Sequence, residues 1–173
     1  TFDLRGHGSS EGRLDGRVLE DIRSVAGVLR ARTGTEALAV RGSSMGGYLA
    51  IVAAPAIGAR AVVAICPASS EGLRRGLASG RLEFAADAPG LDRFLAARDL
   101  GEAVAALEIP MLLLHAEGDE VVPVASSREL AARMQAPDSR LIVLPGGHHR
   151  SVQHDGELQA ESVRFIERVL GSA

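Results

Sequence analysis

Residues 39–54 read AVRGSSMGGYLAIVAA. Two serines stand between glycines, with one apolar run before them and another after. A short apolar run suits a strand, and the run after the glycines suits a helix packed deep against a sheet. Gly42-Ser43-Ser44-Met45-Gly46 occupies the junction and fits the pattern G-x-S-x-G. In that pattern the central serine sits on a sharp strand-to-helix turn with an unfavourable backbone conformation, so the residues two places away must be small. Gly42 and Gly46 meet this demand around Ser44, and Gly47 adds room for the helix to approach the strand. Ser43 at the centre would put Arg41 and Met45 at the places that need small residues, which argues against it. A serine at a helix N-terminus also gains from the positive end of the helix dipole, and the Met45 N–H would be one donor to a developing oxyanion. Alone the pattern is weak, because short Gly/Ser motifs arise by chance. It needs a base and an orienting acid further along the chain.

Both follow. The stretch LLLHAEGDEVVP (112–123) places Asp119 just beyond an apolar run, in a loop closed by Val122-Pro123. The stretch LIVLPGGHHRS (141–151) places His148 and His149 just beyond the next. Ser, then Asp, then His is the order expected of a hydrolase built on a parallel sheet. Three such residues, each just after a parallel strand, converge on the edge where open α/β sheets hold their sites. The chemistry would be acyl transfer: Ser44 attacks a carbonyl, a histidine takes its proton, and Asp119 sets the imidazole tautomer and stabilises the imidazolium. Glu117 and Glu120, in the same loop, read as solvated, and His115, on the preceding run, as a packed structural histidine.

The rest of the chain supports that sheet. ALAVRG (37–42), RAVVAIC (60–66), PMLLLHA (110–116) and RLIVLPG (140–146) are short, apolar and bounded by Gly, Pro or charge, as strands buried on both faces are. Helical spacing joins Val18, Leu19, Ile22, Val25, Ala26 and Leu29, closed by Thr33-Gly34, and a further helix is marked by Leu130, Ala131 and Met134. The last helix carries Leu158, Ser162, Phe165, Ile166 and Val169, with Asp155 as N-cap and Gly171 just past its end. Residues 68–107 break the alternation. They are helix-prone, hold no strand pattern, and read as a helical cap inserted within a single domain spanning 1–173.

The 173 residues suffice for one domain with a sizeable core. With 46% hydrophobic and 24% charged residues the chain is of ordinary globular composition, which excludes a disordered one. A net charge of −3 argues against nucleic acid as a partner. All cationic side chains are Arg and none is Lys, which reads as coding bias. Cys66, the single cysteine, rules out a disulfide framework and reads as a small buried hydrophobe. No apolar run approaches the ~18 residues of a membrane helix. A metal cluster of His148, His149, His154 and Asp155 is disfavoured, since adjacent histidines seldom point at one ion from an ordinary loop. No metal and no cofactor are expected. The pattern G-x-x-x-x-G-K-[ST] is absent, which sets a nucleotide-binding reading aside.

Four stretches resemble the α/β-hydrolase superfamily, in its serine-hydrolase branch of serine aminopeptidase-like, acylglycerol lipase-like and esterase members: DLRGHGSSEG (3–12), GSSMGG (42–47), HAEGDEVVP (115–123) and PGGHHRS (145–151). They span nearly the whole chain in family order. The resemblance implies an α/β-hydrolase fold and a Ser44–Asp119–His149 triad. His149 fits the pattern G-G-x-H-R better than His148, which remains the alternative base. His7 would be a turn residue, and Ala116 stands where the family has Gly. The family also has earlier strands and a loop that donates a second oxyanion N–H. By that comparison the chain reads as N-terminally truncated, with Thr1-Phe2-Asp3 as the tail of a strand. Loss of one oxyanion donor costs ~2.7–4 kcal/mol of transition-state stabilisation, so this length alone is expected to be weak or inactive.

The function expected is hydrolysis of an ester, thioester or amide of a small-molecule acyl substrate through an acyl-enzyme, with carboxylic esters the leading class and a cytoplasmic location. A non-catalytic ligand-binding member of the fold is the competing reading; the retained Ser, Asp and His disfavour it. The cap is apolar with scattered arginines (Arg74, Arg75, Arg81, Arg93, Arg98), which permits an apolar acyl group or an anionic substituent without selecting either.

Overall fold

Four short strands lie side by side in chain order, all parallel. In the computed structural model, which describes residues 1–171, they are β1 (Leu38–Ser43), β2 (Ala59–Ile65), β3 (Met111–Ala116) and β4 (Arg140–Leu144). Each falls within a residue or two of its expected apolar run. The central pair β2 and β3 is buried almost throughout, as near-continuous apolar sequence requires. The outer pair differs from expectation. β1 and β4 are half-buried, because among the described residues each has a neighbouring strand on one side only.

Among the described residues, eight α-helices connect and cover the strands: α1 (Val18–Thr33), α2 (Met45–Ala53), α3 (Ser70–Ala78), α4 (Ala88–Ala96), α5 (Leu100–Ala105), α6 (Val124–Ala131), α7 (Ser151–His154) and α8 (Gly156–Gly171). Local chemistry sets several ends. Gly34 closes α1 in the left-handed conformation, its N–H reaching Arg30 O. Ser69 and Asp99 cap α3 and α5 by accepting from Gly72 N and Glu102 N. Asp155 accepts from Leu158 N at 2.9 Å, the capping role read from sequence, although Gly171 falls inside α8 as its last residue. The α6 helix begins at Val124, earlier than its apolar markers suggest, and Met134 lies beyond it. The short α7 was not foreseen.

One face of the sheet packs against α1, α2 and the helices of 68–107, around Val18, Tyr48, Ile51, Val62, Phe94 and Leu113. The other face packs against α7 and α8 through Val152, Leu158 and Phe165, over Val63, Leu112 and Leu114. Residues 68–107 form α3, α4 and α5 without a strand and share the core of the first face.

The opening residues correct one expectation. Thr1 to Asp3 form no strand and are exposed. Residues 4–14 are fastened to the chain near residue 85 instead. Leu14 N bonds Ala85 O at 2.8 Å, Ala85 N bonds Gly6 O at 3.1 Å, and His7 stacks on Phe84 with ring centroids 4.3 Å apart. His7 is thus a turn residue, as expected. Arg5 pairs with Asp21 and Asp15, tying this segment to the start of α1.

The strand register aligns the C-terminal ends. Ser43 pairs with Ile65, Ile65 with Leu114, and Ala116 with Leu144. The residues that follow, Ser44, Cys66, the Asp119 loop and the His149 loop, therefore emerge along one edge.

Candidate active site

Ser44 stands between β1 and α2 with φ 54° and ψ −117°, a strained conformation for a residue with a side chain. Three backbone bonds hold it there. Its N–H donates to Ile65 O at 2.8 Å, and its carbonyl accepts from Tyr48 N and from Ala68 N, each at 3.1 Å. The turn is tight on one side. A Cβ on Gly42 would stand 2.0 Å from the Gly46 carbonyl oxygen, whereas one on Gly46 would meet nothing within 4 Å. Gly46 thus contributes its backbone, against which Gly42 packs. Gly47 has the close approach read from sequence, since its Cβ would lie 3.1 Å from Pro67 Cα. The Met45 N–H is the first of α2, and a first-turn N–H has no acceptor within its helix.

Asp119 and His149 are joined directly. His149 Nδ1 lies 2.7 Å from Asp119 Oδ2. The Asp119 side chain has no exposure, and that of His149 has 15%. Asp119 Oδ1 accepts from Val121 N at 2.9 Å and from Val122 N at 2.8 Å, an arrangement that curls the loop around the carboxylate. Burial pushes the Asp119 pKa up, but the Val122 N–H, His149, the Val121 N–H and the Cys66 thiol outweigh it and hold the carboxyl below its ordinary value. With Asp119 ionised, His149 Nδ1 is the donor and Nε2 is left as the acceptor.

Of the two adjacent histidines, His149 is the one bonded to Asp119. His148 is exposed, and its Nδ1 accepts from Arg150 N at 3.2 Å. His154 is exposed on α7. Glu117 pairs with Arg128 at the surface. Glu120 does more than face solvent: its Oε2 accepts from His149 N at 3.2 Å and so helps place the loop.

A pocket of about 650 Å³ opens beside Ser44. Leu73, Gly76 and Leu82 of the 68–107 segment form one wall, and Val121, Val122 and Pro123 form the other. A cleft of about 380 Å³ beside Arg5 and Asp21 lies apart from these residues. Ser44 and the Asp119 loop thus meet at one pocket, while His149 is not part of its lining. No hydrogen bond joins Ser44 to His149 among the described residues.

Cys66 was read as a filler, and its position is more specific. It is buried at the end of β2 with φ 42°, and its Sγ, a ligating atom of Asp119 and one of His149 all lie within 4.8 Å of one another. Burial pushes the thiol up to about 12, the Ala116 backbone opposes this, and Asp119 raises it further. Asp119 and His149 already bond each other, and Asp119 also accepts from the thiol. The trio therefore fits a hydrogen-bonded cluster better than a metal site. Cys66 is the residue after β2, whose last residue Ile65 pairs with Ser43, and that register, which the sequence does not display, is what brings it to the site.

Comparison with known proteins bears on this geometry. The family model described as serine aminopeptidase, S33, matches residues 1–87 and 88–156. An uncharacterized Escherichia coli O157:H7 protein, YfhR, is 30% identical over 178 residues, covering 95% of this chain; the chain spans 58% of that relative's length. Among solved structures, ferulic acid-bound Est1E from Butyrivibrio proteoclasticus superposes with a TM-score of 0.74 at 20% identity, covering 98% of this chain and 74% of Est1E. A thermophilic esterase from Thermogutta terrifontis gives 0.71 at 20% identity, covering 97% and 79%. These likenesses place the chain in the α/β-hydrolase fold.

Proposed function

The chain belongs to the serine aminopeptidase S33 family, and from that premise we propose that the protein is a serine hydrolase that cleaves carboxylic esters through an acyl-enzyme. The bond between His149 and the buried Asp119, on the sheet edge that also carries the strained Ser44, is the observation that carries this reading. Ser44 Oγ attacks the acyl carbonyl and passes its proton to His149 Nε2. The imidazolium is stabilised by Asp119 and returns the proton to the leaving alcohol. The Met45 N–H donates to the oxyanion. Water, activated by the same histidine, then releases the acid and restores the serine.

The 68–107 segment serves as a cap. Leu73 and Leu82 give the acyl side of the pocket an apolar wall. Its size, about 650 Å³, suits a small-molecule ester. The Thermogutta terrifontis esterase favours an ester, and the amide suggested by the aminopeptidase family name is the competing substrate class.

A fluorophosphonate probe tests the assignment. Labelling is expected in the wild type and in Ser43→Ala, and lost in Ser44→Ala. Label retained by Ser44→Ala but lost from Ser43→Ala would move the nucleophile, and no label in any form would favour a binding protein. A panel of p-nitrophenyl esters set against aminoacyl amides then separates esterase from peptidase.

A further inference from the structure

Besides Cys66, the mechanism above leaves a second buried titratable side chain near its acid unused. His115 lies on β3, four residues before Asp119, and its side chain has no exposure. Both ring nitrogens are engaged. Nδ1 is 2.7 Å from Ser127 Oγ, a buried hydroxyl on α6. Nε2 is 2.9 Å from the Val122 carbonyl oxygen and 3.3 Å from Asp119 Oδ2.

These neighbours dictate the tautomer. The Val122 carbonyl and the Asp119 carboxylate can only accept, so Nε2 carries the proton, and Nδ1 of the neutral ring accepts from the Ser127 hydroxyl. The two oxygens of Asp119 are then held differently. Oδ1 is fixed by the two backbone N–H groups of its own loop. Oδ2 accepts from His149 Nδ1 at 2.7 Å, while His115 Nε2, its proton directed to the Val122 carbonyl, stands 3.3 Å away. Val122 therefore links the two: its carbonyl accepts from His115 and its N–H donates to Asp119 Oδ1.

Resting on the hydrolase reading above, we infer that His115 is a positioning residue: with its tautomer set by Ser127, it latches the Val122 carbonyl and so holds the loop whose Val122 N–H grips Asp119 Oδ1 and aims the carboxylate at His149. The ring touches neither substrate nor the reacting atoms. Its contribution is the aim of the carboxylate, felt at His149 as a shorter and more constant bond.

The test compares His115→Gln, whose side-chain N–H reaches toward the Nε2 position, with His115→Leu, which has no donor, and with Ser127→Ala, in the full protein. Three readouts are taken: kcat and KM on a p-nitrophenyl ester, the NMR resonance of the His149 Nδ1 proton in the resting protein, and the melting temperature. In a folded His115→Leu, kcat should fall roughly 10–100-fold, a part of the 10²–10⁴ a general base contributes, with KM unchanged. The His149 proton resonance should broaden or move upfield. His115→Gln should recover most of both. A folded His115→Leu whose resonance and kcat match the wild type would overturn the inference. If His115→Leu does not fold, Ser127→Ala decides: an unmoved resonance overturns the inference and a shifted one supports it. A wild-type protein without turnover would contradict the hydrolase reading instead, and the resonance would still decide on His115.

Discussion

Gly42 and Gly46 face each other across the turn that carries Ser44, so closely that a Cβ on the first would stand 2.0 Å from the carbonyl oxygen of the second. Both groups belong to the backbone, and no side chain can swing aside to relieve the clash. Gly42→Ala should therefore destabilise the protein by ~1–3 kcal/mol or more and misplace Ser44. Gly46→Ala should be much milder, since its Cβ would meet nothing within 4 Å. Melting curves and fluorophosphonate labelling of the two variants check this. Equal loss in both would mean that the strain is shared across the turn.

Ser44 carries a backbone conformation that residues with side chains avoid, which costs on the order of 1–3 kcal/mol. Ser44→Gly, free of that penalty, should melt higher than Ser44→Ala while both lose labelling. The added flexibility of glycine in the unfolded chain trims the gain by roughly 0.5–1 kcal/mol. A Ser44→Gly protein that melts below Ser44→Ala would show that the turn is not the store of strain.

Asp119 should control both activity and acid stability. Asp119→Asn keeps the shape but no longer favours the tautomer that donates from His149 Nδ1, so kcat should drop by about 10³–10⁴. The pH effect has a fixed sign. The folded-state pKa lies below the ordinary 3.8, so the stabilisation is complete above the unfolded value and is lost as pH falls through the folded one. Wild-type melting temperature should fall more steeply than that of Asp119→Asn as the pH is lowered below about 4, near the usual carboxyl range. Parallel curves would refute the linkage.

Cys66 should be inert while the protein is folded. With its thiol buried and pushed up to about 12, almost no thiolate exists near neutral pH. A thiol reagent such as dithionitrobenzoate at pH 8 should leave the native protein untouched and label it fully in denaturant. Native labelling at the denatured rate would place the thiol in a different environment.

How far these features could be read without coordinates varies with their physical cause. The strands were legible because β2 and β3 are buried on both faces and so written in unbroken apolar residues. The turn at Ser44 was legible because only glycine fits at Gly42. The start of α6 was hidden, since Val124-Ala125-Ser126-Ser127 carries no helical apolar stripe and Pro123 alone marks it. Likewise Cys66 and His115 sit in apolar runs that explain them as packing. What sets them apart is their nearness to Asp119, which follows from strand register and loop curl. The choice between His148 and His149 was of the same kind. Neighbours in sequence, they differ in which side of the loop they occupy, and the Glu120 bond to the His149 N–H belongs to that placement.

The carbonyl of Ser44 accepts from Ala68 N, the residue at which the chain leaves β2 for α3, while the N–H of Ser44 donates to Ile65 on the same strand. One wall of the pocket and the Ser44 peptide thus share one anchor. Leu73 of α3 lies only a few residues beyond that anchor, so a shift of this wall would reach the Ser44 peptide along the backbone and not across the interior.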